Sequence, residues 1–89
     1  MPHYHFNLHN SIGFVADEEG QELADLDAAR AEALRNARGL MAEEVRGGRL
    51  DLEGKLEIVD GRGTVLLTLA FAEAIELEGL PRPRPRVAD

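Results

Sequence analysis

From His3 to Leu8 the chain alternates strictly, with Tyr4, Phe6 and Leu8 on one side and His3, His5 and Asn7 on the other. A period of two is the pattern of a strand with one face buried. Asn10-Ser11-Ile12-Gly13 reads as a turn, and Ile12 to Ala16 as a second, antiparallel strand. Asp17-Glu18-Glu19-Gly20 reads as another turn, with Gly20 free to take positive φ, and Gln21 to Leu23 adds a brief extended piece. The period then changes. Over residues 25–46 the positions Leu26, Ala29, Ala33, Leu34, Ala37, Leu40, Met41 and Val45 form one stripe at helical spacing. Asp25 or Asp27 is placed to cap this helix, and Gly47-Gly48 to stop it. Leu56 and Ile58 alternate with Glu57 and Val59, and Val65, Leu67 and Leu69 alternate with Leu66 and Thr68. Between the two runs lies Asp60-Gly61-Arg62-Gly63, which predicts a hairpin. Phe71, Ala74 and Ile75 share a face at helical spacing and predict a short C-terminal helix.

The order strand, strand, long helix, strand, strand, short helix predicts a small α+β domain over 1–80. Its economical packing has two layers, about four antiparallel strands with the long helix on one face. Residues 81–89 carry Pro81, Pro83 and Pro85 alternating with Arg82, Arg84 and Arg86, which predicts an extended, flexible tail. A helix of about 21 residues spans roughly 31 Å and a strand of about six residues roughly 20 Å. The helix should therefore overhang the sheet, exposing Leu40, Met41 and Val45 unless Phe71 and Ile75, or a second copy of the chain, cover them. On the other sheet face Val15, Val59 and Leu66 are expected beside the histidines. These positions are the expected interface of a homodimer.

Composition narrows the chemistry. The 89 residues contain no Cys, which excludes disulfides, thiolate catalysis and Cys-based zinc sites. A core this small gains from self-association when no disulfide supplements it. Residues 1–80 hold seven Lys/Arg against sixteen Asp/Glu, while residues 81–89 hold three Arg against one Asp. An acidic body repels phosphate backbones and attracts a basic protein, so nucleic acid is not an expected partner. No apolar run has the length of a signal peptide or a membrane span, so a cytoplasmic location is expected, with no membrane partner.

His3, His5 and His9 are the only histidines. His3 and His5 project from one strand face about 6.6 Å apart, a span that two ligands of one metal ion can bridge. The competing reading is the polar outer face of an edge strand. Asp17-Glu18-Glu19 lacks the spaced oxygen ligands of a calcium loop and reads as a solvated turn. Arg30 falls inside the apolar stripe on a helical wheel, so its guanidinium is expected to pair with Asp17, Glu18 or Glu19 and tie the loop to the helix. Glu44 falls in the stripe near the helix end, where exposure is the simpler expectation. Gly39 sits mid-helix, where Gly costs roughly 1 kcal/mol relative to Ala. With one Ser, one Lys and one Tyr, and no phosphate loop or nucleophile elbow, no catalytic set is evident and no cofactor is expected.

Three stretches carry a resemblance. Pro2-x-Tyr4-x-Phe6, the segment Asp17-x-x-Gly20-x-Glu22-Leu23-x-Asp25-Leu26-x-x-Ala29-Arg30-x-x-Ala33, and the Leu56 to Leu69 hairpin resemble a family of short proteobacterial proteins catalogued as a domain of unknown function. The likeness covers roughly residues 1–78 and implies a cytoplasmic bacterial protein, with no activity or catalytic residue to carry over. The chain is more weakly similar to HicB-type antitoxins, whose antiparallel strands run into an amphipathic helix. That family's Pro-Asp-Leu-Pro-Gly stretch is absent, with Ala24-Asp25-Leu26-Asp27-Ala28 in its place. The expected role is a non-catalytic interaction module, self-associating or docking a basic protein. An antitoxin and a metal- or ligand-binding His face stand as alternatives.

Overall fold

The computed structural model describes residues 1–79. The fold is α+β, an antiparallel sheet under one long helix. Its elements are β1 (His3–Asn10), β2 (Gly13–Val15), β3 (Gln21–Glu22), α1 (Leu26–Arg46), β4 (Lys55–Asp60), β5 (Val65–Ala70) and a 3-10 turn over Phe71–Ala74. The sheet runs β2-β1-β4-β5, and β3 pairs with the same edge of β1 as β2. The Pro-Arg tail expected over 81–89 lies outside the described residues.

Register places Tyr4, Phe6 and Leu8 on the same face as Ile58 and Leu56, because Phe6 pairs with Ile58 and Leu8 with Leu56. The helix closes this face. Its buried row is Ala29, Ala33, Ala37 and Met41, at spacing four. Three alanines leave no side-chain bulk between helix and sheet, so Phe6, Ile58 and Phe71 fill the core. Asp25 caps the helix by accepting the Ala28 N–H at 2.8 Å. The C-terminal turn does what the stripe required: Phe71 and Ala74 are buried beneath α1, and the Arg38 guanidinium holds the Ala74 carbonyl at 2.7 Å.

Two features depart from the sequence pattern. A bulge between Ile58 and Val59 sets Leu67 opposite Ile58 but Val65 opposite Val59. One extra residue reverses the phase of alternation, so Val65 leaves the core face, where the pattern had placed it beside Leu67 and Leu69. On the opposite edge, Val15 pairs with Leu8, which turns it toward the helix side rather than toward the histidines.

Candidate interaction surface

The edge formed by β2 and β3 is interrupted, and Asp17 fills the gap. Phe6 points its N–H away from β4, into the space between β2 and β3. Asp17 Oδ2 accepts that N–H at 3.1 Å, Oδ1 accepts the Gly20 N–H at 3.1 Å, and the Asp17 N–H donates to Asn7 Oδ1 at 2.9 Å. One carboxylate thus replaces a missing stretch of ladder. Two histidines hold the same loop from the outer face. His3 Nε2 lies 2.7 Å from the Glu19 carbonyl and His5 Nδ1 2.7 Å from the Asp17 carbonyl, so each ring donates an N–H. Gly20 closes the loop at φ 63°, with a Cβ there falling 2.5 Å from the Tyr4 carbonyl oxygen.

This arrangement corrects the reading of Arg30. The side chain is exposed and makes no ion pair with Asp17, Glu18 or Glu19. The buried row of α1 is the narrow one through Ala29 and Ala33, and Arg30 lies outside it. Backbone amides, not a guanidinium, take the Asp17 carboxylate; Glu18 and Glu19 are exposed. His9 stands apart from His3 and His5 because its Nε2 is 2.8 Å from Glu57 Oε1. Among the described residues no group of three or more His, Cys, Asp or Glu side chains is placed to hold a metal ion.

Of the expected interface positions, Met41 is 3% exposed and belongs to the core that includes Phe71 and Ala74 of the C-terminal turn. Val59 is buried as well, at 6% exposure, on the outer face where it pairs with His5. Leu40, Val45 and Leu66 are exposed. Leu40 has company. The helix packs toward β4, β5 and the C-terminal turn, which leaves Leu8 and Val15 at the β1–β2 edge less covered than Tyr4 and Phe6. The result is a groove of about 600 Å³ between the Asn36–Leu40 flank of α1 and the strand residues Phe6, Leu8 and Val15, with Asp17 and Arg35 at its rim. Gly39 lines it, and a Cβ on Gly39 would meet nothing within 4 Å. Ile12 and Phe14 on the neighbouring hairpin are exposed too.

Electrostatics add a direction to this apolar surface. The first 29 residues contain six carboxylates, Asp17, Glu18, Glu19, Glu22, Asp25 and Asp27, and no Lys or Arg. Five of the six are exposed: Glu18 and Glu19 on the loop that follows Asp17, Glu22 on β3, and Asp25 and Asp27 at the start of α1. On the helix, Arg35 is tied to Glu32, whose carboxyl is held below its ordinary range chiefly by that hydrogen bond.

A residue the sequence did not single out organises the tip of the β1–β2 hairpin. Asp51 is buried; its carboxylate accepts the Ser11 N–H at 3.1 Å and the Glu53 N–H at 2.9 Å, and its own N–H donates to Glu44 Oε1 at 3.2 Å. Those backbone donors, Ser11 first, hold its carboxyl below the usual carboxylate range. Asp51 therefore ties the β1–β2 hairpin to the link between α1 and β4. Glu44 is half-buried in this role rather than exposed. Local pattern does not mark such an Asp, since two of its three partners are 40 and 7 residues away.

The strands and helix that build this surface lie within the stretch matched by a known family. Residues 3–72 match the family described as a domain of unknown function, DUF6894. The chain belongs to that family. No curated protein and no solved structure matches it. Among the described residues, no helix of this DUF6894 protein is long and apolar enough to cross a membrane.

Proposed function

We propose that this DUF6894 protein is a non-catalytic interaction module of the bacterial cytoplasm whose groove takes an apolar, basic segment of a partner protein. One juxtaposition carries the reading: an apolar channel floored by Phe6, Leu8 and Val15 has Asp17 at its rim, in a stretch of 29 residues with six carboxylates and no Lys or Arg, while the rim's Arg35 is already paired with Glu32. Apolar contacts supply affinity there, and the acidic rim supplies steering and the choice of sign. An antitoxin that neutralises a small basic toxin is one instance of this function, and a neighbouring gene for such a toxin would identify the partner.

The test is an NMR titration of the isotope-labelled full chain with two amphipathic peptides of equal hydrophobicity, one bearing Lys and one bearing Glu. The Lys peptide should shift amides of Leu8, Val15, Asn36 and Leu40, with affinity that falls as salt rises, and the Glu peptide should not. Leu40→Lys, at an exposed position, should abolish those shifts without altering the fold. Equal response to both peptides, or shifts unaffected by Leu40→Lys, would refute the proposal.

A further inference from the structure

The two edges of the sheet differ in chemistry. The β2/β3 edge is broken into short pieces, plugged by Asp17 and flanked by acidic residues, all devices that discourage strand pairing. The β5 strand itself carries no charged residue, and the carboxylate at its C-terminal end is Glu73, which caps the Ala70 N–H. From Gly63 to Ala72 the chain reads Gly-Thr-Val-Leu-Leu-Thr-Leu-Ala-Phe-Ala, without a charged residue or proline, in a protein that is 30% charged. Val65 and Leu66 are exposed on it at 49% and 38%. Among the described residues β5 pairs only with β4.

The hydrogen-bond phase shows which groups face outward. The Ala70 N–H donates to Glu73 Oε2 at 2.8 Å, so Ala70 directs its N–H away from β4. In an antiparallel ladder this direction alternates, which turns the N–H and C=O of Thr68 to the same open side. A neutral, β-branched and leucine-rich edge with outward amide and carbonyl groups is a template for another strand.

We propose that β5 pairs antiparallel with β5 of a second copy, about a two-fold axis near Thr68, to form a continuous sheet across a homodimer. Charge selects this occupant. A charged partner segment finds no charged side chain within Val65–Ala70 and meets only Glu73, already engaged by the Ala70 N–H, whereas the strand is complementary to itself under a two-fold rotation. Pairing here also sets the acidic β3 edges of the two copies at opposite ends of the combined sheet. Seven strand spacings of about 4.8 Å separate them by roughly 34 Å, several Debye lengths at physiological salt. Pairing through the β2/β3 edge would instead press those carboxylates together. Val65 and Leu66 become buried, and the groove beside α1 stays open in both copies.

Sedimentation equilibrium of the full chain from low to high micromolar concentration tests this. The expected result is a doubling of the 9.8 kDa mass. Thr68→Lys sets two ammonium groups against each other on the axis and should weaken dimerisation about tenfold or more, with the circular dichroism of the monomer unchanged. Leu66→Lys, at an exposed bulge position, is the second variant and should act likewise if Thr68→Lys disturbs folding. Leu40→Lys should leave the dimer intact, which separates this edge from the groove. A wild-type chain that stays at monomer mass, or a dimer as tight in both folded β5 variants, would overturn the proposal.

Discussion

Single carboxylates and glycines do the joining that the small core of this protein leaves to them. Gly20 is the sharpest case, since both its φ of 63° and its 2.5 Å approach to the Tyr4 carbonyl forbid a Cβ. Gly20→Ala should cost about 1–3 kcal/mol, read by urea denaturation, because backbone strain adds to a contact with unyielding main chain. Arg30 should behave oppositely: Arg30→Met, at an exposed position, should change stability by less than about 0.5 kcal/mol. Asp51 makes stability depend on pH with a definite sign. Its folded-state carboxyl is held below the ordinary value of 3.8, so its contribution is complete above that value and is lost as pH falls through the lower folded one. Denaturation midpoints measured down an acid series should fall, and Asp51→Asn should flatten part of that slope. Asp60, held low by the Thr64 and Arg62 N–H groups of its turn, contributes with the same sign.

Elements here are held by close contacts with little slack. Gly54 lies against Phe71 so tightly that a Cβ would fall 2.8 Å from the ring. Gly54→Ala must displace a fully buried aromatic side chain, and a loss of about 1–3 kcal/mol is expected by denaturation. The middle of α1 presents the reverse situation. Gly39 faces open space on the groove, so Gly39→Ala should stabilise the isolated domain by about 0.5–1 kcal/mol. A helix that keeps this glycine retains a locally narrow wall where the groove needs width. The same substitution should therefore also weaken binding of the Lys-bearing peptide, measured in the titration described above.

At the scale of the molecule, charge asymmetry governs behaviour. Six carboxylates and no Lys or Arg occupy the first 29 residues, and the formal net charge is −7. Added salt should raise the urea midpoint of the monomer by screening the self-repulsion of that charge, while weakening capture of a basic segment. The two responses have opposite sign.

Periodicity and turn residues determined the element order, the helix with a cap at Asp25 or Asp27, the hairpin around Asp60-Gly61 and the α+β class, because backbone hydrogen bonding and one-sided burial act locally along the chain. Composition likewise determined the acidic sign of the surface. Tertiary structure decided everything that depends on which elements meet. It buried Met41 in the core, left Arg30 in solvent, turned Val65 outward through a one-residue bulge, and assigned Asp17 and Asp51 to distant backbone amides. The groove itself arises because α1 lies off-centre on the sheet, toward β4 and the C-terminal turn. A hydrophobic stripe specifies that a helix face is buried, but the lateral position of the helix follows from the bulk of residues far apart in sequence. Three alanines against Phe6 and Phe71 settle it here.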